Sequence, residues 1–299
     1  MRLYRLLMLS SLLLLGAGCF KSPQMSVAPE VLDRQSQTLA GDFPVETLEL
    51  NGDFVLNNLA GCKVSIKFPD LVGTKADQAM ANFIAKTLGS TENLRSTTEL
   101  APLLDRHLEL CEQEVTAEYA ALNAKQTELY INLNRSLDII YTVSLNQDGL
   151  LSFGLDAYAY SGGAHANQNL AYFNLDLNSD RLLKLKDLIK PESLKTFINI
   201  EKYRLLTEQS DSLYPERLAE FVALSVNTEA MSAEQQLAAF GDLDNFYLTN
   251  EALITYYNPY DLAPYAAGPI FVTIPYAEIV DYILPNSFLS PLLEHAKQL

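Results

Sequence analysis

The apolar positions of the chain follow two different periods. Apolar and polar residues alternate over residues 48–56 and 62–68, which predicts two strands. Apolar residues recur every third or fourth position over residues 75–88 and 98–122, which predicts two amphipathic helices. The alternation that is typical of strands returns from residue 127. The strands predicted in this second part cover residues 129–133, 137–145, 151–159 and 171–177.

The strands after residue 127 predict an antiparallel meander with one buried face, because only short turns separate them. Within the second of these strands, the alternation places Leu137, Val143 and Leu145 together on the apolar face. The remaining predicted elements are a helix over residues 191–206, an acidic stretch of helical pattern over 207–245, strands over 246–257 and 269–274, and short helices over 276–283 and 289–298.

Together these elements predict an α+β fold in which antiparallel sheets pack with helices. The change of period near residue 125 suggests a boundary there. We therefore expect a smaller N-terminal α+β module over residues 46–125 and a larger C-terminal module over residues 126–299.

The first 45 residues predict export and a membrane anchor rather than part of the fold. Two arginines precede an apolar run of about ten residues, which is too short to span a bilayer. Small residues and Cys19 follow, as in a secretory signal. The layout resembles a bacterial lipobox, so residues 1–18 would be removed and Cys19 would carry the lipid. The alternative is an ordinary signal peptide followed by an incidental cysteine. Residues 19–45 contain three prolines and predict a tether.

The residue after Cys19 bears on where such a lipoprotein would reside. In Gram-negative cells an aspartate at this position resembles an inner-membrane retention signal, and here the residue is Phe20. We therefore expect a lipid-anchored protein of the cell envelope, attached to the outer membrane and facing the periplasm if the organism has one.

The net charge of the chain is −16, and it limits the possible partners. Removal of Arg2 and Arg5 with the signal leaves 19 basic against 37 acidic residues, a net charge of −18. This acidity argues against nucleic acid, whose phosphates require lysine and arginine. It permits a basic protein partner, because opposite net charges steer association. The alternative is that the acidity confers only solubility.

Two cysteines remain beyond the signal, Cys62 and Cys111. An exported protein meets an oxidising compartment, where a disulfide can form. Cys62 lies on the apolar face of a predicted strand and Cys111 on the apolar face of a predicted helix, so both side chains can point into one core. Two buried free thiols are the alternative.

The stretch Tyr160-Ser-Gly-Gly-Ala-His165 ends the strand predicted over residues 151–159. It resembles the signature of the PdaC/RsiV-like domain, which peptidoglycan deacetylases share with lysozyme-sensing anti-sigma factors. Two further blocks are similar to the same family in the same order. They comprise residues 173–176 with 185–188, and residues 257–260 with 263–268 and 274–276.

The resemblance implies a fold rather than a reaction, since the deacetylases carry their metal chemistry in a separate domain. The three histidines, His107, His165 and His295, fit no metal-ligand spacing, so we expect no metal and no cofactor. Whether the protein is an enzyme is uncertain, and we lean towards a non-enzymatic binding protein. The partner that the resemblance implies is a lysozyme-type muramidase, and peptidoglycan is the other candidate ligand.

The signature residues have two interpretations. Gly162 and Gly163 either adopt positive φ or allow close approach of the backbone. His165 either maintains the shape of the loop or acts in the site, as a contact residue or as an acid or base beside Ser161, Asp156 or Asp176. As an acid or base it would make the protein an enzyme or accessory factor on peptidoglycan. Tyrosines near the C-terminal block could complete a binding rim. The residues predicted to bind are Tyr160, Ser161, Gly162, Gly163, His165, Tyr260 and Tyr265.

Overall fold

The computed structural model describes residues 43–57, 60–124, 133–208, 245–285 and 287–296. The predicted lipidation site Cys19 and nearly all of the tether lie outside the described residues. So does the acidic stretch from residue 209 to residue 244, and so does the side chain of His295.

Six strands form the main sheet, in the spatial order in which they follow one another along the chain. They are β1 (Thr47–Asn57), β2 (Ala60–Pro69), β3 (Leu133–Gln147), β4 (Leu150–Tyr160), β5 (Asn167–Asp176) and β6 (Arg181–Leu182). All neighbouring pairs are antiparallel except β2 and β3, which run parallel. Two adjacent parallel strands need a long connection, which brings the chain back to the end of the sheet where the first strand began. Two helices supply it, α1 (Lys75–Thr87) and α2 (Ala101–Ala124).

The inner face of the main sheet packs against these two helices. Thr74 caps α1 by accepting a hydrogen bond from the Asp77 amide at 3.2 Å, and Met80 and Ile84 of α1 are fully buried. A disulfide between Cys62 of β2 and Cys111 of α2 joins the helix to the sheet covalently. The first core therefore lies between this helix pair and one face of the sheet.

A second core forms on the opposite, outer face of the main sheet. Its three-stranded antiparallel sheet consists of β7 (Phe246–Leu248), β8 (Ala252–Tyr257) and β9 (Ile270–Pro275). Its helices are α3 (Leu194–Glu208), α4 (Tyr276–Ile279) and α5 (Ser290–Ala296). We call these elements and their connections the C-terminal layer. It covers only part of the outer face, chiefly where β7 lies over β4 and β5.

Buried hydrogen bonds join the C-terminal layer to the main sheet. The Ser152 hydroxyl of β4 donates to Asn174 Oδ1 of β5 at 2.7 Å and accepts from the Leu248 amide at 3.0 Å. The amide nitrogen of the Asn174 side chain donates to the Phe246 carbonyl at 2.9 Å. Both side chains therefore have partners in a dry interface, where an unpaired polar group would be costly.

Because of a bulge in β3, side chains of this one strand contribute to both cores. The pairing of β3 with β4 shifts between Val143 and Leu145. Such a shift reverses which side chains point to each face of the sheet. Val143 consequently packs against the first core, whereas Leu145 belongs to the second. The prediction that Leu137, Val143 and Leu145 share one face is therefore wrong for Leu145.

The α+β fold class is confirmed, and two details of the prediction need correction. The pairing of β2 with β3 is parallel, so the main sheet is mixed rather than wholly antiparallel. Strands from both sides of residue 125 share the sheet and the first core, so the predicted boundary between 46–125 and 126–299 does not separate two cores. The change of period at that boundary marks the end of the crossover helix instead.

Replacement of both Cys62 and Cys111 by alanine should lower the free energy of unfolding by about 2–4 kcal/mol. The bond closes a loop across 49 residues, and its loss enlarges the conformational freedom of the unfolded chain. Urea denaturation of the variant and of the wild-type protein measures the difference. A loss below about 0.5 kcal/mol, which is typical of a neutral surface substitution, would contradict the prediction.

Candidate functional site

The family signature forms the connection between β4 and β5. We call residues 161–166 the signature loop. Gly162 and Gly163 have φ values of 96° and 101°. A Cβ atom added to either glycine would have no atom within 4 Å, so the backbone conformation, rather than close approach, explains their presence. The Tyr160 hydroxyl donates to the Gly163 carbonyl at 3.1 Å and holds the turn.

His165 is exposed at the end of the signature loop and stacks on Tyr265. The two ring centroids lie 4.0 Å apart, and the ring planes differ by 11°. The Nδ1 atom of His165 lies 2.9 Å from the Ala166 carbonyl. A carbonyl can only accept, so Nδ1 carries the hydrogen and the neutral ring offers Nε2 as an acceptor. His165 therefore joins the signature loop to the loop that follows β8.

Tyr260 lies in the loop after β8 with φ of 75°, which is unusual for an aromatic residue. A backbone of this kind costs on the order of 1–3 kcal/mol and persists only where its surroundings enforce it. Here the Tyr260 amide donates to the Ala263 carbonyl at 3.1 Å. The Tyr260 side chain is 63% exposed, and its ring centroid lies 5.8 Å from that of Tyr265. The loop thus presents an aromatic ring to solvent at a conformational cost.

The side chain of Asn258 satisfies the edge of β5 in place of a neighbouring strand. Its Oδ1 accepts from the Leu170 amide at 2.7 Å, and its Nδ2 donates to the Leu170 carbonyl at 3.2 Å. The Tyr256 hydroxyl accepts from the Tyr172 amide at 3.2 Å. Strand β6 pairs with β5 only at Leu175 and Asp176, so these side chains cover an edge that would otherwise be open. We call the two bonds of Asn258 to Leu170 the Asn258 clamp.

Beside the C-terminal layer, part of the outer face of β3 and β4 is open. Tyr158 and Ile140 are 47% and 53% exposed there. Asp138 pairs with Tyr158, and Asp156 pairs with Ile140 across the same two strands. Directly paired residues share a face, so two carboxylates lie among these apolar side chains.

Asp156 lies half-buried where the open face meets the C-terminal layer. Its two carboxylate oxygens accept from Gln168 Nε2 at 3.1 and 2.9 Å. Burial raises the pKa of the Asp156 carboxyl, and the Gln168 hydrogen bond opposes the rise. Partial desolvation, followed by the nearby Tyr158, Tyr260 and Asp156, raises the pKa of Tyr265. Tyr158, Tyr260, Tyr265 and Asp156 therefore lie close enough to interact electrostatically.

Tyr172 and Tyr247 form a stacked pair near Asp156. Tyr172 stacks on Tyr247 with ring centroids 4.3 Å apart. The Tyr172 ring lies across β4, where a Cβ on Gly154 would come within 2.4 Å of it, so this position needs a glycine. Burial, together with Tyr247 and Asp156, raises the pKa of Tyr172 to about 12.

The residues predicted to bind fall into two groups. Tyr260, Tyr265 and His165 come together with Tyr158 and Asp156, and we call these five residues the aromatic surface. Tyr160 and Ser161 instead line a cavity of about 310 Å³ between α2 and the ends of β2, β3 and β4. His107 also lines this cavity, and its Nδ1 donates to the Leu88 carbonyl at 3.1 Å.

The arrangement provides hydrogen bonding and aromatic contact rather than a nucleophile with its base. Within the described ranges, no hydrogen bond links Ser161 to His165. The same part of the chain contains no group of three or more histidine, cysteine, aspartate or glutamate side chains that could hold a metal ion. Sequence reasoning missed the role of Asn258 and did not assign Tyr158 to the site, whereas Asp156 was already a candidate neighbour of His165. The only signal for Asn258 was its place before Pro259 in the C-terminal block.

Comparisons with known proteins identify two segments of the chain that match family models. Residues 57–168 match the family model described as deacetylase PdaC, and residues 186–277 match a model described as a protein of unknown function, DUF3298. The chain is therefore similar to the PdaC model over one segment and to the DUF3298 model over the next, and the predicted resemblance is confirmed. None of the curated proteins matches the chain.

Two solved structures of the DUF3298 family are similar to this chain. The crystal structure of a member from Bacteroides fragilis NCTC 9343 shares 20% identity at a TM-score of 0.58, covering 87% of this chain and 99% of that one. A member from Pseudomonas aeruginosa PAO1 shares 18% identity at a TM-score of 0.46, covering 82% and 97% of the two chains. The first of these supports the fold.

Replacement of Asn258 by alanine should destabilise the protein by about 1–3 kcal/mol, because it leaves the Leu170 amide without its partner and the Leu170 carbonyl with only the Tyr256 hydroxyl at 3.4 Å. Urea denaturation gives the change in the free energy of unfolding. The matched control is Asn169→Ala, since Asn169 is an exposed asparagine of β5. Equal stability of the two variants would show that the Asn258 clamp contributes nothing.

Proposed function

We propose that this protein is a non-enzymatic, lipid-anchored component of the cell envelope that binds a protein or cell-wall ligand at the aromatic surface. The observation that carries the proposal is the conformation of Tyr260. An exposed aromatic ring held at positive φ costs stability without burying apolar area, and such strain clusters at ligand-binding positions. Tyrosine suits this role because its large rigid ring ends in a polar group.

The second support is preorganisation. The rings of His165, Tyr265 and Tyr260 contact one another in sequence, and the loops that carry them are tied to the main sheet by the Asn258 clamp. A surface that is already ordered loses less conformational entropy when a partner binds. Its shape therefore favours a preformed docking site.

The charge of the chain favours a basic partner over a neutral glycan. Asp138 and Asp156 lie on the open face beside the aromatic surface, and the described residues provide no salt bridge to either carboxylate. The net charge of −16 would also attract a basic protein over a distance of about a Debye length. The family resemblance implies a lysozyme-type muramidase, which we propose as the partner; binding of this kind would protect the cell wall.

The geometry gives less support to an enzyme on peptidoglycan with His165 as its acid or base. The ring of His165 is stacked on Tyr265, and no described residue forms a hydrogen bond with Nε2, the atom that would accept a proton. A general base in catalysis is normally oriented towards a nucleophile or a substrate proton. In the described structure, His165 is oriented towards the neighbouring loop instead.

Attachment to the membrane would come from the N-terminus. The layout of residues 1–18 before Cys19 supports a lipid anchor, and β1 begins only at Thr47. Residues 19–45 would then separate the lipid from the fold. No helix among the described residues is long and apolar enough to cross a bilayer.

Replacement of Tyr260 by asparagine should weaken the binding of purified lysozyme about thirtyfold or more, as expected when an interface anchor worth about 2 kcal/mol is lost. Asparagine tolerates positive φ, so the variant removes the ring and keeps the loop. Biolayer interferometry with the full-length protein in detergent measures the dissociation constant. The matched control is Tyr203→Asn, because Tyr203 of α3 is a tyrosine that is 67% exposed.

The same measurement separates the proposal from a non-specific attraction of charges. Higher salt should slow association in the wild-type protein and in both variants, because screening acts on the net field. The difference between the two tyrosine variants should persist at each salt concentration. Wild-type protein that does not bind lysozyme, or equal weakening by both variants, would contradict the proposal.

Replacement of Cys19 by alanine should move the protein from the membrane fraction to the soluble fraction and abolish the added lipid mass. The reason is that the acyl chains would supply the membrane affinity through their buried methylene groups. Fractionation and intact-mass spectrometry give the two readouts, with Ser26→Ala in the tether as the control. A Cys19→Ala protein that stays in the membrane fraction would exclude this anchor.

A further inference from the structure

Glu201 is a fully buried acid in the C-terminal layer, and the proposed binding function does not use it. It lies on α3, which packs on the second sheet. Its Oε1 accepts from the Tyr257 hydroxyl at 2.6 Å and from the Thr255 hydroxyl at 3.2 Å. Its Oε2 has no hydrogen-bond partner among the described residues. A buried carboxyl with one unsatisfied oxygen calls for a physical explanation.

The surroundings of Glu201 disfavour ionisation of its carboxyl. Burial raises its pKa, and this effect exceeds the opposing influence of the Tyr257 and Thr255 hydroxyls and of Lys202. Burial in turn lowers the pKa of Lys202. An ionised carboxylate without full solvation or pairing is far more costly than a neutral carboxyl. Glu201 therefore retains its proton above the ordinary range for a glutamate.

Few other charges face this position. Strand β9, against which α3 also packs, contains no titratable residue. Beyond Tyr257 in β8, the nearest acid on that side is Asp261, which acts on Tyr257. Arg204 of α3 is paired with Glu278 of α4 and with Glu208. Lys202 is thus the only cation that acts on Glu201 among the described residues.

A short covalent and hydrogen-bonded route connects Glu201 to the aromatic surface. Tyr257 is the last residue of β8, and Asn258 follows it directly. Asn258 holds Leu170 of β5, and the signature loop precedes that strand. Tyr260 lies in the same loop as Asn258. Tyr257, which donates a hydrogen bond to the Glu201 carboxyl, therefore directly precedes Asn258 in the chain.

We propose that Glu201 is a positioning residue for the aromatic surface: its carboxyl is buried where α3 meets Thr255 and Tyr257 of β8, and ionisation of this buried carboxyl favours a state in which α3 and β8 separate and the Asn258 clamp loosens. The proposal concerns how the aromatic surface is held in place, and it applies without a bound ligand. It predicts that the order of the aromatic surface depends on pH.

The direction of this dependence follows from linkage. Between the ordinary pKa of a glutamate and the raised pKa in the closed structure, the open state releases its proton and the closed state keeps it. Rising pH therefore favours opening across that window, by up to about tenfold per pH unit. Below the window both states are protonated, and the contact between α3 and β8 is at its most stable.

Hydrogen exchange of the Leu170 amide, followed by NMR on the full-length protein in detergent at several pH values, tests the proposal. After division by the intrinsic exchange rate, protection of this amide should fall by up to about tenfold per pH unit in the wild-type protein. The Ile84 amide in α1 serves as the internal control and should show no such fall. In Glu201→Gln, which keeps the shape and cannot ionise, protection of Leu170 should be independent of pH.

A second variant moves the titration. Tyr257→Phe removes a hydroxyl whose hydrogen bond favours the ionised carboxylate of Glu201. In this variant the ¹³C signal of the Glu201 carboxyl should titrate at higher pH than in the wild-type protein, and the fall in Leu170 protection should extend to the same higher pH. This comparison is made within folded protein even if Glu201→Gln proves unstable.

Two outcomes would overturn the proposal. One is a Leu170 amide whose protection is independent of pH in the wild-type protein while the Glu201 carboxyl titrates. The other is a Tyr257→Phe protein in which the Glu201 titration moves to higher pH while the pH dependence of Leu170 protection does not. Because no ligand is present, neither outcome depends on whether lysozyme binds at the aromatic surface.

Discussion

The structure depends on how the edge of β5 is satisfied. Strand β6 covers only the last two residues of that edge, and the Asn258 clamp covers Leu170 instead. Side chains rather than a further strand thus fix the loop after β8 against the main sheet. Once Asn258 is placed, Tyr260 and Tyr265 follow within a few residues, and Tyr265 meets His165 from the signature loop. The clamp therefore brings the signature loop and the loop after β8 together.

The second constraint is that one sheet supports two cores. The inner face is closed by α1 and α2, and the bulge in β3 redirects Leu145 towards the C-terminal layer. That layer covers only part of the outer face, so Tyr158 and Ile140 stay exposed beside its tyrosines. The open face and the aromatic surface are therefore consequences of partial coverage. A site built in this way depends on the packing of α3 on β8, which is where Glu201 lies.

The spacing of apolar residues was sufficient to predict most helices and strands and the α+β class, because amphipathic helices and alternating strands bury one face each. It could not show that β2 and β3 are parallel, since pairing depends on contacts distant in sequence. It also misplaced Leu145, because a bulge leaves the alternation of residue types unchanged. The structure brings His165 of the signature together with Tyr260 and Tyr265 of the C-terminal block, whereas Tyr160 and Ser161 line a different cavity. A binding role for these residues stays a prediction. Asn258 was missed because the open edge that it covers exists only in the folded chain.

The central claim is that the aromatic surface is where a basic muramidase docks. Hydroxyl-radical footprinting of the tyrosines, with and without saturating lysozyme, examines this directly because it reports each side chain separately. The account predicts that Tyr158, Tyr260 and Tyr265 become protected together, while Tyr203 on α3 keeps its reactivity. Protection that is absent at the aromatic surface, or that appears at Tyr203 instead, would contradict the account.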